Sequence, residues 1–94
     1  VSAGFDAYRD DPLTDLGLTS GDYADLTTSL VGLVPRGRCV LFLEGGYDLD
    51  ALANSSGASI AAAVGVQHRP ESASGDGPGS EVVDRAVERH GLDR

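Results

Sequence analysis

Apolar and polar positions change rhythm several times along the chain, and each change marks an element. Residues 1 to 4 are small and mostly apolar and run into Phe5-Asp6, as a buried parallel strand runs into the loop after it. Asp6 to Leu18 then carries Asp6, Asp10, Asp11 and Asp15 with Pro12 and Gly17, which is turn chemistry. Beyond it Tyr23, Leu26, Leu30 and Leu33 recur at spacings of three, four and three, one stripe of a helix over about 20–34. Thr19 or Ser20 caps that helix, Pro35 and Gly37 end it, and Arg36 and Arg38 suit the negative end of its dipole. Arg38 to Leu43 turns apolar without alternation, which predicts a central parallel strand covered on both faces. After Glu44-Gly45-Gly46-Tyr47, Asp48 is the expected N-cap of a second helix. Its inner stripe is read as Leu49, Leu52, Ala53, Ser56, Ile60 and Val64, with Gly65 as its stop.

The order of strand end, loop, helix, strand, loop, helix is that of an α/β repeat with a parallel sheet. Both post-strand loops are expected at the carboxyl edge, where such sheets place their ligands. Past Gly65 the composition shifts. Residues 66–79 hold Pro70, Gly75, Gly77, Pro78 and Gly79 with Ser72 and Ser74, read as a flexible linker too polar to pack. Residues 80–94 are read as a short terminal helix, amphipathic from Ser80 to His90 with Val83 and Val87 four apart, laid back on the domain.

Composition narrows the function classes. Ninety-four residues with three Tyr, two Phe and no Trp build only a small core, so stand-alone stability is marginal. The net charge is −8 and every base is Arg, which argues against direct nucleic-acid binding. No apolar run approaches the roughly 18–20 residues of a membrane span, and no signal-peptide pattern is present. One cysteine, Cys39, cannot form an internal disulfide, and a reducing, cytoplasmic setting is expected. The sequence holds no Met and starts abruptly at Val1-Ser2-Ala3-Gly4, so a piece of a longer protein is expected.

Two loops carry candidate chemistry, Ser2-Ala3-Gly4-Phe5-Asp6-Ala7 and Leu43-Glu44-Gly45-Gly46-Tyr47. Asp6, at a strand's carboxyl end, is either an oxygen ligand for Zn²⁺ or another divalent cation, or the cap of a turn. Tyr47 follows two glycines and either projects a phenol toward a developing oxyanion or packs with its hydroxyl satisfied. Asp11 before Pro12 reads as turn geometry. Cys39 reads as packing, and His68 and His90 as solvent-exposed.

These residues carry a family resemblance. Ser2-Ala3-Gly4-Phe5-Asp6-Ala7 with Asp11-Pro12-Leu13, and about forty residues later Leu43-Glu44-Gly45-Gly46-Tyr47, resembles the carboxyl-terminal motifs of the zinc-dependent histone deacetylases. The likeness is closest to class II enzymes and their bacterial acetoin-utilisation and acetylpolyamine amidohydrolase relatives, and it covers about residues 1–65. It implies the C-terminal part of an arginase/deacetylase-like three-layer α/β fold, completed by an upstream part of the same domain. It implies hydrolysis of acetyl-lysine or acetylpolyamine amides by metal-activated water. Asp6 matches a zinc-binding aspartate and Tyr47 the tyrosine that hydrogen-bonds the acetyl carbonyl. Gly45 and Gly46 match the glycines of the acetyl pocket, and Pro12 and Leu13 the mouth of the acyl-lysine tunnel. Tyr8 and Thr14-Asp15 depart from the family pattern at the rim. The general-base histidines and remaining zinc ligands of the family have no counterpart in this chain, so alone it is expected to be inactive. Two alternatives from other classes stay open: a non-catalytic α/β binding module or degenerate paralogue without metal, and a different α/β hydrolase or phosphate-binding domain that shares a glycine turn.

Overall fold

The computed structural model describes residues 1–93. Ser2–Ala3 form strand β1 and Phe42–Leu43 form β2, paired parallel with Ser2 opposite Phe42 and Ala3 opposite Leu43. The Phe42 N–H donates to Val1 O at 2.9 Å and the Glu44 N–H to Ala3 O at 3.1 Å. Parallel pairing carries both chains out at the same edge, so the two loops named above meet there.

Helix α1 spans Ser20–Val31 and α2 spans Leu49–Ala63. Thr19 is the N-cap of α1 in extended conformation, and Asp22 three residues on accepts the Thr19 N–H at 2.8 Å, one arm of a capping box. The helix ends earlier than its apolar stripe. Gly32 is the C-cap, and Leu33 and Val34 continue as turns bonded back to Leu30 and Val31. Asp48 caps α2 as expected, its Oδ1 accepting the Ala51 N–H at 2.8 Å. The amides of Gly65 and Val66 close α2 onto Ala62 and Ala61, which fixes the stop at Gly65.

The core is small and lies beneath the loop edge. Phe5, Tyr8, Tyr23 and Ala51 are buried together, with Ala3, Ala7, Leu18 and Leu52 packed against them. The Phe5 and Tyr23 rings meet edge to face, centroids 5.0 Å apart. Helices α1 and α2 lie side by side, and apart from Tyr23 the residues each buries are small: Ser20, Gly21, Ala24 and Thr27 from α1, and Ala51, Ser55, Ala58, Ser59 and Ala61 from α2.

Three expectations are corrected. The large apolar stripes are not the buried faces, since Leu26, Leu30, Leu33, Leu49, Ile60 and Val64 are all exposed. Small side chains let the helix backbones approach closely, and that contact takes precedence over the wider apolar faces. The strand run is short and open as well. Only residues 42–43 are paired, and Phe42 and Leu43 are 63% and 67% exposed, because β2 has one partner strand and no covering layer among the described residues. The terminal helix α3, Ser80–His90, packs on no other element among the described residues, with Val82 and Val83 exposed. The last residue of the expected 80–94 segment lies outside the described residues.

The segment read as too polar to pack also behaves differently over residues 69–74. It runs along the start of α1 and is held by polar contacts: Arg69 to Asp25 at 2.7 Å, Thr19 Oγ1 to Ser72 O at 2.6 Å, and the Ser74 N–H to Asp22 Oδ1 at 3.0 Å. Polarity here is the means of docking.

Candidate functional site

The loop that leaves β1 is shaped by its own backbone. Phe5 is buried and anchors it, the Arg9 N–H donates to Leu18 O at 2.9 Å, and the Leu18 N–H donates to Ala7 O at 3.0 Å. Those two bonds pinch the loop at its neck. Thr14 Oγ1 donates to Asp6 O inside it. Asp6 stands half-buried at the rim, and no hydrogen bond reaches its carboxylate among the described residues.

The second loop is pressed onto the first. The Phe5 N–H donates to Gly45 O at 3.1 Å. Gly45 and Gly46 both have φ of 112°, a region open in practice only to glycine. A Cβ at Gly46 would lie 3.1 Å from Phe5 Cβ and 3.2 Å from the Phe5 carbonyl carbon, so the close approach also demands a missing side chain. A Cβ at Gly45 would lie 3.9 Å from Asp6 Oδ1, which puts the Asp6 carboxylate beside the glycine turn. Tyr47 follows with its side chain in solvent, the residue being 61% exposed. Among the described residues this tyrosine is not packed.

Two carboxylates hold this arrangement, Asp11, which sequence reasoning reads only as a local turn, and Glu71, which it passes over. Asp11 is buried at 5% exposure. Its Oδ1 accepts the Leu13 N–H at 2.8 Å, the turn geometry expected before Pro12, but its Oδ2 accepts the Tyr47 N–H at 3.0 Å, from a residue 36 positions away. Glu71 reaches the same loop from the far side. It accepts the Tyr8 hydroxyl at 2.9 Å, the Arg9 guanidinium at 2.5 Å, and the Ser20 N–H at the start of α1 at 3.1 Å. Tyr8, a departure from the family pattern, therefore has a partner in this chain. An Asx turn was readable from Asp11-Pro12; no local signal marks either long-range bond.

The electrostatics follow from these contacts. Burial pushes the Glu71 carboxyl up, but the Ser20 amide, the Tyr8 hydroxyl and the Arg9 charge outweigh it and hold Glu71 below its ordinary range. Asp22 behaves alike, with burial opposed by bonds from Thr19 and Ser74. Burial raises the Tyr8 phenol, and its bond to Glu71 raises it further. Burial raises the Tyr23 phenol; the Ala7 backbone beside its hydroxyl opposes this, and the charges of Asp6, Asp11 and Asp22 add to the rise.

The sequence-derived residues thus divide. Asp6, Gly45, Gly46 and Tyr47 are gathered at one edge, with Pro12 and Leu13 exposed on the loop that Asp11 ties to Tyr47. His68 is elsewhere, exposed with its ring against Gly57 of α2, and His90 is exposed in the last turn of α3. Cys39 is half-buried beside a groove of about 790 Å³ at the far end of α1 and α2, away from Asp6 and Tyr47. Among the described residues no three His, Cys, Asp or Glu side chains are grouped to hold a metal ion. No helix among them is long and apolar enough to cross a membrane.

Comparison with known proteins agrees with these motifs. Residues 1–63 match the histone deacetylase domain model. The chain is 44% identical over 68 residues to histone deacetylase 14, chloroplastic, of Arabidopsis thaliana, covering 69% of this chain and 16% of that protein. It is 45% identical over 58 residues to histone deacetylase 10, chloroplastic, of Oryza sativa subsp. japonica, covering 58% of this chain and 13% of that protein. It is 45% identical over 56 residues to histone deacetylase 6 of Caenorhabditis elegans, covering 60% and 6%. The chain spans about a sixth or less of the length of these relatives.

Proposed function

Because the chain belongs to the histone deacetylase family, we propose that it supplies the carboxyl-terminal edge of a zinc-dependent deacetylase. The substrate class is an acetyl amide, on a lysine of a histone or other protein or on a polyamine. The observation that supports this reading best is the contact between the two loops, in which Asp6 lies beside Gly45 and Tyr47 projects into solvent from the same edge.

The Asp6 carboxylate suits a zinc ligand. It is a carboxylate standing half-exposed at the rim, and among the described residues it takes no hydrogen bond that a metal would have to displace. One carboxylate does not hold Zn²⁺ alone, so the other ligands and the general base belong to the rest of a three-layer arginase/deacetylase-like domain. Bound zinc supplies Lewis-acid polarisation of the carbonyl that is attacked. Tyr47 donates its phenolic hydrogen to that carbonyl oxygen as negative charge develops there. The glycine turn leaves room for the acetyl methyl beside the backbone, and Pro12 and Leu13 flank the methylene stem of the side chain being deacetylated. The exposed apolar residues of β2 and of the α1 and α2 stripes are the surface that the rest of the domain covers. A cytoplasmic setting belongs to the same proposal and rests on the single free cysteine.

The test uses the full-length protein, an acetyl-lysine peptide and metal analysis. Tyr47→Phe is expected to lower kcat by about 10²–10³ while zinc content is retained. Asp6→Ala is expected to lose the metal and the activity together. Wild-type turnover in both variants would overturn the reading in favour of a non-catalytic binding module.

A further inference from the structure

We propose that Asp11 is a positioning residue of this site, setting the place of Tyr47 and of the Pro12–Leu13 rim through one buried carboxylate. The inference rests on the role given to Tyr47 above. A carboxylate at 5% exposure is costly unless both oxygens are satisfied, and here each oxygen takes one backbone amide. The Leu13 amide, two residues on, fixes the rim; the Tyr47 amide, from the other loop, fixes the oxyanion donor.

The need for such a tie follows from what surrounds Tyr47. The residue is 61% exposed, so among the described residues packing does little to place it. The two residues before it are glycines at a φ of 112°, the most permissive backbone available. Gly46 is held against Phe5 and Leu52, but past that contact the Tyr47 N–H bond to Asp11 is the next fixed point before the Asp48 cap. Asp11 therefore acts through Tyr47, and it links the rim that receives the substrate stem to the donor that receives its carbonyl.

The experiment takes the zinc-loaded full-length protein and an acetyl-lysine peptide. Asp11→Asn keeps the shape but turns an N–H₂ toward one of the two amides. We expect kcat to fall about 10- to 100-fold with a smaller change in KM, unchanged zinc content, and faster hydrogen exchange at the Tyr47 amide. In a Tyr47→Phe background the same substitution is expected to cost little more, because the residue acts through the phenol. A loss of equal size in both backgrounds would overturn the proposal, as would unchanged kcat in Asp11→Asn. The Tyr47 amide of the wild-type protein needs no variant: it should exchange slowly, and free exchange there would also overturn the proposal. A wild-type protein without deacetylase turnover would instead refute the role of Tyr47, an outcome distinct from turnover that ignores Asp11.

Discussion

Gly21→Ala places a methyl group where the chain has no room for one, and the sign of its effect separates two views of residues 69–74. Gly21 is buried in the first turn of α1. Its Cβ would lie 2.5 Å from Ala73 N, 2.6 Å from the Ser72 carbonyl carbon and 2.7 Å from Glu71 O, all backbone atoms that no rotamer can move aside. The crossing segment must retreat by about an ångström to restore ordinary contact. A shift of that size breaks the Ser74–Asp22 and Ser20–Glu71 bonds, now 3.0 and 3.1 Å long. Bonds to charged partners contribute about 1.5–3 kcal/mol each, less where water replaces them. Against this, alanine in a helix is favoured over glycine by about 1 kcal/mol. The net expectation is a loss of about 1–3 kcal/mol, or a melting temperature lower by about 4–8 °C for each kcal/mol in a chain of this size. Thermal denaturation reads the loss, and hydrogen exchange at the Ser74 amide reads the detachment. A raised melting temperature, with the Ser74 amide exchanging freely in the wild-type protein already, would refute the docking of this segment, because it is the result for an unobstructed helical glycine.

Further expectations follow from the same contacts. Glu71 is held below its ordinary value of 4.5, so its contribution is complete above that pH and is lost as the pH falls through the lower folded-state value. Acid should therefore release residues 69–74, and a pH titration of the Ser20 amide in wild type and Glu71→Gln, with the acid step missing from the variant, checks it. Glu71→Gln itself should cost about 1–3 kcal/mol at neutral pH by denaturant melt, since Tyr8, Arg9 and Ser20 lose a charged acceptor. Gly46→Ala combines a φ of 112° with contacts of 3.1–3.2 Å to Phe5 and Leu52, and should separate the two loops, seen as faster exchange of the Phe5 amide. Asp48→Ala removes the N-cap of α2 and should cost about 1 kcal/mol by thermal melt with the Phe5 amide still protected.

The elements were legible because their signals are local. A capping residue, a 3.6-residue period and a glycine stop are each written within a few positions, and Thr19, Asp48 and Gly65 stand where those signals put them. The buried faces were not legible. A stripe of large apolar residues predicts which face prefers burial, but burial needs a partner, and in this chain the partner available to each helix is the other helix. Ala24 and Thr27 against a helix of Ala51, Ser55 and Ala58 is a contact between small side chains, which carry little hydropathic signal.

The site divides along the same line. Asp6 and Tyr47 are visible because each sits beside glycine at a strand's carboxyl end, and parallel pairing of two such strands brings the ends together without further information. The bonds that fix their relation are not visible, because Asp11 and Glu71 act on residues 36 and 51 to 63 positions away. Their partners are backbone amides, a phenol and a guanidinium, groups so common that no spacing identifies them. A short chain with few aromatic residues cannot hold two surface loops by apolar packing alone. A buried Asp11 and a half-buried Glu71 do it with direction as well as energy, since each oxygen accepts along a defined line. The acidic excess of this chain is therefore partly structural: it includes the two side chains that turn a pair of glycine-rich loops into an edge of fixed geometry.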